Sequence, residues 1–189
     1  MAMILGDDPE PQFDGVNTTL GRNLPEGFNP FGSYLLVISP FDQTSTGASD
    51  YRPIFQYSDG AGETFKISAA RTGGAFSAES VIVTAETGGL KMEAFNEDAD
   101  PGGTYVVRVD YETELLRIRV NGSVWSEDDS EQMPSTTHDD FTIGAGVVAN
   151  NELFAGLVPH AKHYPAGTLD SVLDAAEAAL IAEYVTPIP

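Results

Sequence analysis

The strongest constraint on the fold is the stretch Tyr105-Val106-Val107-Arg108-Val109-Asp110-Tyr111, in which Tyr105, Val107, Val109 and Tyr111 alternate with Val106, Arg108 and Asp110. Successive side chains of a strand point to opposite faces, so this period of two predicts a strand with one dry face. Leu116-Arg117-Ile118-Arg119-Val120 repeats the alternation with Arg117 and Arg119 outward, and Glu112-Thr113-Glu114 is short enough to join the two as a β-hairpin. Further short β-type runs, punctuated by Gly, Pro, Asn and Asp, are expected at residues 34–39, 53–57, 64–69, 80–85, 90–95, 141–143 and 153–164. Many short strands at this spacing predict a sandwich or barrel.

The period changes near the end. Leu169, Val172, Leu173, Ala176, Leu180 and Tyr184 recur at helical spacing with Asp170, Asp174, Glu177 and Glu183 elsewhere on the wheel, predicting one amphipathic helix. Thr168 is its expected N-cap, Asp170 suits the positive end of its dipole, and Pro187 ends it. The 189 residues suffice for one domain with a sizeable core, and no linker-like segment divides them. Residues 1–11 read as an N-terminal extension or docking arm, and residues 12–189 as the domain with its terminal helix at 169–184.

Three places resemble the laminin-G-like branch of the concanavalin A-like lectin and glucanase superfamily. They are Phe13-Asp14-Gly15-Val16-Asn17, the hairpin from Tyr105-Val106-Val107 to Val120-Asn121-Gly122, and Phe141-Thr142-Ile143-Gly144-Ala145 followed by Phe154-Ala155-Gly156-Leu157. His163-Tyr164 and the helix from Leu169 then look like the superfamily's last strand and terminal helix, so the likeness runs from Gln12 to Tyr184. It implies an all-β, antiparallel jelly-roll sandwich with one short C-terminal helix, and binding on the concave sheet or at the loop rim. Asn121-Gly122 fits a type I′ turn.

Charge narrows the partners. Nine Lys and Arg against 29 Asp and Glu give a formal charge of -20, which repels phosphate backbones and anionic lipid and makes nucleic acid an unexpected ligand. Zero cysteines exclude disulfides, thiolate metal sites and cysteine nucleophiles. No apolar run approaches the ~20 residues of a membrane-spanning helix, and the start shows no basic signal-peptide region.

Glu127-Asp128-Asp129-Ser130-Glu131 matches the Glu-x-Asp-x-Glu pattern that the resemblance associates with glucanase chemistry, which needs two carboxylates about the scissile bond. A catalytic strand requires apolar residues between those carboxylates, and here Asp128 and Ser130 stand instead, so a solvated loop and no enzymatic activity are expected. A calcium ion is the one cofactor considered, with Asp98, Asp100, Glu127 and Asp129 as candidate ligands, although neither acidic loop has regular calcium-loop spacing. His160 and His163 lie three apart and face opposite ways on a strand, so no shared metal is expected. By the register that the resemblance implies, Ala161 and His163 should face inward and His160 and Lys162 solvent, and His138 should lie in a loop.

Sugar sites combine aromatic faces with hydrogen-bonding side chains, for which Tyr51, Arg52, Tyr57, Trp125, Asn150 and Asn151 are the candidates. The expected function is a structural protein of a virion or particle surface, such as a phage decoration, head-fibre or tail-associated protein, with host-glycan binding. Its partners would be other particle proteins, copies of itself, or cell-surface polysaccharide. The alternative is a stand-alone, extracellular lectin module.

Overall fold

The computed structural model describes residues 12–14, 20–40, 51–58, 64–70, 81–96, 103–134, 137–144 and 154–185. Among them, β1 (Gln12–Asp14), β12 (Ala155–Pro165), β3 (Gly32–Pro40), β8 (Tyr105–Glu112), β9 (Leu115–Val120) and β10 (Ser126–Asp128) form sheet A in that order. Sheet B runs β2 (Leu20–Phe28), β11 (His138–Ile143), β4 (Tyr51–Ser58), β5 (Thr64–Ala70), β6 (Val81–Thr87) and β7 (Leu90–Asn96). Neighbouring strands pair antiparallel, and β3 sits between β12 and β8, strands far from it in sequence. Helix α1 (Asp170–Leu180) follows and closes with a π-helical turn, Ile181–Val185. The fold is an antiparallel jelly-roll sandwich with one short terminal helix. No described helix is long and apolar enough to cross a membrane.

The core follows from the alternation. Tyr34, Leu36, Ile38, Val107, Val109, Leu116 and Ile118 of sheet A meet Phe55, Tyr57, Phe65, Ile67, Val83, Ala85, Met92 and Ala94 of sheet B. Each large apolar side chain sealed there contributes about 1.5–3 kcal/mol before entropy is counted. Tyr34 stacks on Phe65 at 4.7 Å and Phe65 on Tyr111 at 5.1 Å, crossing from sheet to sheet. The Tyr34 hydroxyl donates to the Pro30 carbonyl, so its polar end is satisfied within the interior. The expected hairpin turn is present, with φ of 51° at Asn121 and 72° at Gly122.

Four expectations change. Strand β8 is buried on both faces rather than one, because α1 folds back over the outer face of sheet A, where Leu180 packs on Leu35, Val37 and Val106. The N-cap is Leu169, not Thr168, whose hydroxyl turns back to donate to the Pro165 carbonyl at 2.7 Å. Of the expected apolar stripe, Leu173 and Leu180 are buried, while Leu169 and Val172 remain 69% and 48% exposed. His138 is a buried member of β11 opposite Phe28, since its strand closes the sheet between β2 and β4.

His163 faces inward as expected. Its Nε2 lies 3.3 Å from the Phe31 carbonyl, which can only accept, and its ring stacks on Tyr34 at 4.7 Å. Burial holds its pKa below the ordinary 6.5, and burial followed by the Lys162 charge does the same for His160, which is half-buried rather than solvated. Both rings are therefore neutral in the fold at pH values where the unfolded chain binds a proton. Their stabilisation is full above about pH 6.5 and declines as pH falls through the folded-state pKa values. Asp174 and Asp128 are also depressed, so a second loss is expected below about pH 4. Melting temperatures across pH 8 to 3 should fall in these two steps, and His163→Gln should shrink the upper one. A flat profile between pH 7 and 5 contradicts this.

Candidate functional site

The two outer faces of the sandwich differ in kind. That of sheet A is closed by the chain's own helix through an ion cluster centred on Arg108, which is 1% exposed. Its guanidinium donates to Asp110 on its own strand at 3.2 Å, and to Asp174 and Asp170 of α1 at 2.7 and 3.2 Å. Arg119 donates to Glu177 and Asp174, both at 3.0 Å, and Arg117 donates to Asp110 at 2.9 Å. Trp125, entering from the loop before β10, lies with its ring centre 4.2, 4.4 and 5.1 Å from the guanidinium carbons of Arg117, Arg119 and Arg108. Burial opposes the charge on Arg108, but Asp110, Asp174 and Glu177 outweigh it and hold the group protonated above its ordinary range. The hydrogen bond from Arg108, joined by that from Arg119, keeps Asp174 below the usual carboxylate range.

Sheet B has no such cover from α1. Because Phe55, Phe65, Val83, Ala85, Met92 and Ala94 point into the core, the residues between them point outward. Register aligns these into a row across five strands: Thr142 of β11, Gln56 of β4, Lys66 of β5, Thr84 of β6 and Glu93 of β7. Gln56 and Thr84 are buried, as are Ser58, Ser68 and Ile82 on the same face, whereas Thr142, Lys66 and Glu93 are half-buried. Phe95, two residues beyond Glu93 on the same face, is 42% exposed, and Lys91 pairs with Glu93 at 2.9 Å. An exposed aromatic beside amide, hydroxyl, ammonium and carboxylate groups is the composition a sugar site requires.

The acidic stretch proves structural. Ser126–Asp128 is a short edge strand paired with β9 rather than a loop, and it ends before Asp129, so Glu127, Asp129 and Glu131 do not share one strand face. Asp128 lies opposite core-facing Leu116, and its carboxylate accepts the Glu93 N–H at 2.7 Å and the Ser130 N–H at 2.9 Å. It thereby ties the edge of sheet A to the edge of sheet B. Burial opposes its charge, but the hydrogen bonds from Ser130 and Glu93 prevail and lower its pKa.

The sequence candidates do not gather into one site. Arg52 and Tyr57 are buried, Tyr57 within the aromatic core, and neither offers a face to a sugar, which corrects that expectation. Trp125 belongs to the arginine cluster on the opposite side of the sandwich from the polar row. Tyr51 opens β4, and Asn150, Asn151, Asp98 and Asp100 lie outside the described residues. Glu127 and Asp129 are exposed, and among the described residues no three His, Cys, Asp or Glu side chains are placed to hold a metal ion. Sequence reasoning missed Lys66, Thr84, Glu93 and Phe95. The signal was the matching parity of polar residues in consecutive strands, which becomes one row only when register is known.

No family model and no curated protein sequence matches this chain. Solved structures share its fold at low identity. The botulinum neurotoxin serotype D binding domain superposes with a TM-score of 0.67 at 8% identity, over 96% of this chain and 47% of that one. Domain 4 of an extracellular arabinanase from Geobacillus stearothermophilus, solved in complex with arabinotriose, gives 0.59 at 13% identity, over 94% of this chain and 81% of its own. Domains LG4-5 of the mouse laminin alpha1 chain give 0.55 at 12% identity, over 78% and 38%. The chain thus spans less than half of the toxin and laminin chains it resembles, and at these identities the likeness establishes the concanavalin A-like jelly roll alone.

Proposed function

We propose that this jelly roll is a non-enzymatic carbohydrate-binding module that presents the outer face of sheet B to a short glycan. The observation that carries this reading is the row of half-buried Thr142, Lys66 and Glu93 on the outer face of sheet B, ending beside exposed Phe95 on its edge strand β7. Phe95 would stack on the apolar face of a sugar ring while the polar row reads its hydroxyls. The arabinotriose complex of the arabinanase domain supports a sugar ligand for a sandwich of this shape. The structural use of Asp128 supports the absence of glucanase chemistry.

The particle-surface setting is the second reading, with other particle proteins or further copies as partners. It is favoured by the exterior charge: in the helix cluster three cations, Arg108, Arg117 and Arg119, meet four carboxylates, Asp110, Asp170, Asp174 and Glu177, so nearly all of the formal -20 lies outside it. Such an exterior keeps a densely displayed protein soluble.

A glycan array probed with the folded domain should give a defined set of bound sugars, and Phe95→Ala should weaken them by about tenfold or more, the worth of one lost aromatic stack. Retained binding in Phe95→Ala rejects this face. A silent array combined with co-purification on particles favours the second reading without sugar recognition.

A further inference from the structure

Helix α1 is turned inside out. Its charged side chains, Asp170, Asp174 and Glu177, all point at Arg108 and Arg119 on the sheet beneath. The opposite side, where a surface helix ordinarily carries its charges, has none. Val172, Ala175, Ala178 and Ala179 are exposed there, with Leu169 before them, Ala182 after them and Ser171 as the polar member. Of the four large apolar side chains exposed among the described residues, Leu169 and Val172 are two. A third, Val124, stands two residues past Gly122, where an added Cβ would lie 3.7 Å from Ile181 Cδ1. In a chain with 29 acidic residues, apolar exposure thus collects around one helix. The nearest charges flank this face rather than interrupt it. Asp170 and Asp174 are held from the sheet side by the arginines, and exposed Glu183, in the closing turn, shares the surroundings of His160 with Lys162.

The pattern of sizes says what covers the face. Alanines let helix axes approach to about 8 Å, the near end of the packing range. Turned antiparallel about a two-fold axis at Ala175, two copies set Val172 of each against Ala178 and Ala179 of the other, and Leu169 against Ala182, large against small throughout. The 11 residues of α1 and the 5 of its closing turn span roughly 23 Å. A contact of that length belongs to the small, reversible interfaces, under about 1,200 Å² in total. Charge selects the same occupant. A basic partner would be drawn to the acidic remainder of the surface, whereas two chains of charge -20 can meet only where no carboxylate faces another.

We infer that the outer face of α1 is a self-association surface, on which two copies of this chain pair by antiparallel packing of their terminal helices. It gives the further copies of the particle-surface reading a place to meet, and it does not depend on sugar recognition by sheet B.

Sedimentation equilibrium of the folded chain, from about 5 to about 500 µM, should show monomer and dimer in exchange with a dissociation constant inside that range. Added NaCl should tighten the dimer, since screening removes the repulsion and leaves the apolar contact intact. Ala179→Glu sets like charges in the contact and, with an unchanged melting temperature at low concentration, should weaken association by about tenfold or more. Because the chain has no cysteine, single cysteines report the geometry. Under mild oxidation Ala175→Cys should link to its own mate at the axis. Ala182→Cys lies roughly 20 Å from its mate, beyond the reach of a disulfide, and should link no faster than Asp129→Cys in an exposed turn. A monomer at every concentration overturns the inference. So does association that survives Ala179→Glu or weakens with salt, or equal linking of Ala175→Cys and Ala182→Cys. A monomer that floats with neutral phosphatidylcholine vesicles, and no longer does so as Ala179→Glu, overturns it in favour of a lipid surface. None of these results touches the glycan array, so the two readings fail separately.

Discussion

Arg108→Ala should cost about 3–5 kcal/mol and free the terminal helix, because it removes the central cation of a buried cluster and leaves its carboxylates without their shared partner. Asp110 and Glu177 are buried beside it, at 4% and 3% side-chain exposure, so water cannot replace the lost contacts. The exposed members Asp170 and Asp174 contribute less on their own, since ion pairs at the surface are worth under about 1 kcal/mol. Urea unfolding measures the total loss. Hydrogen exchange across residues 170–185 separates helix release from global unfolding: protection there should fall first, exposing Leu35, Val37 and Val106 beneath Leu180. A loss below about 1 kcal/mol with α1 still protected would mean that apolar packing alone holds the helix.

Gly32→Ala should be comparably damaging for a steric reason. Gly32 has a φ of 142°, and a Cβ there would lie 2.2 Å from the Tyr164 carbonyl oxygen and 2.7 Å from His163 Nε2. The oxygen belongs to the backbone of β12, the neighbour of β3, so relief requires parting two central strands. Adding about 1–3 kcal/mol for the backbone conformation to about 1–3 kcal/mol for overpacking gives roughly 2–6 kcal/mol, a large part of the about 5–15 kcal/mol that a domain possesses. Gly88 is the control: its φ of 56° carries the conformational cost, but a Cβ there meets nothing within 4 Å. Gly88→Ala should lose only about 1 kcal/mol. Denaturant midpoints that move equally for the two variants would show that the β3–β12 approach is looser than its geometry.

Legibility in the sequence followed locality. Leu115–Val120 is β9 with the expected bounds, and Tyr105–Tyr111 is β8 to within a residue, since alternation is a property of neighbouring residues. Strand β2, Leu-Gly-Arg-Asn-Leu-Pro-Glu-Gly-Phe, carries no such pattern and was not foreseen. Asp170, Asp174 and Glu177 could be seen sharing a helix face, but the ordinary reading of that face is solvent. It instead meets Arg108 and Arg119, and Leu169 and Val172 are left outside. The partner of a charge depends on which distant segment docks against it, and spacing holds no record of that.

The candidate site divides the same way. Lys66, Thr84 and Glu93 each sit at an outward position that their own strands imply, but their union in one row depends on the pairing of β5, β6 and β7. Trp125 looked like a sugar platform until three guanidiniums surrounded it, and the acidic run looked like a loop until Asp128 closed the sandwich edge. By itself, then, the sequence determined which residues turn inward along each strand and hence the stacked sheets, because that choice is made by a period of two and by the transfer of apolar surface from water. Only the tertiary structure decided which outer face the helix would seal and which polar groups would stand together on the other, because ion pairing and register are long-range and become definite only when the strands have been brought side by side.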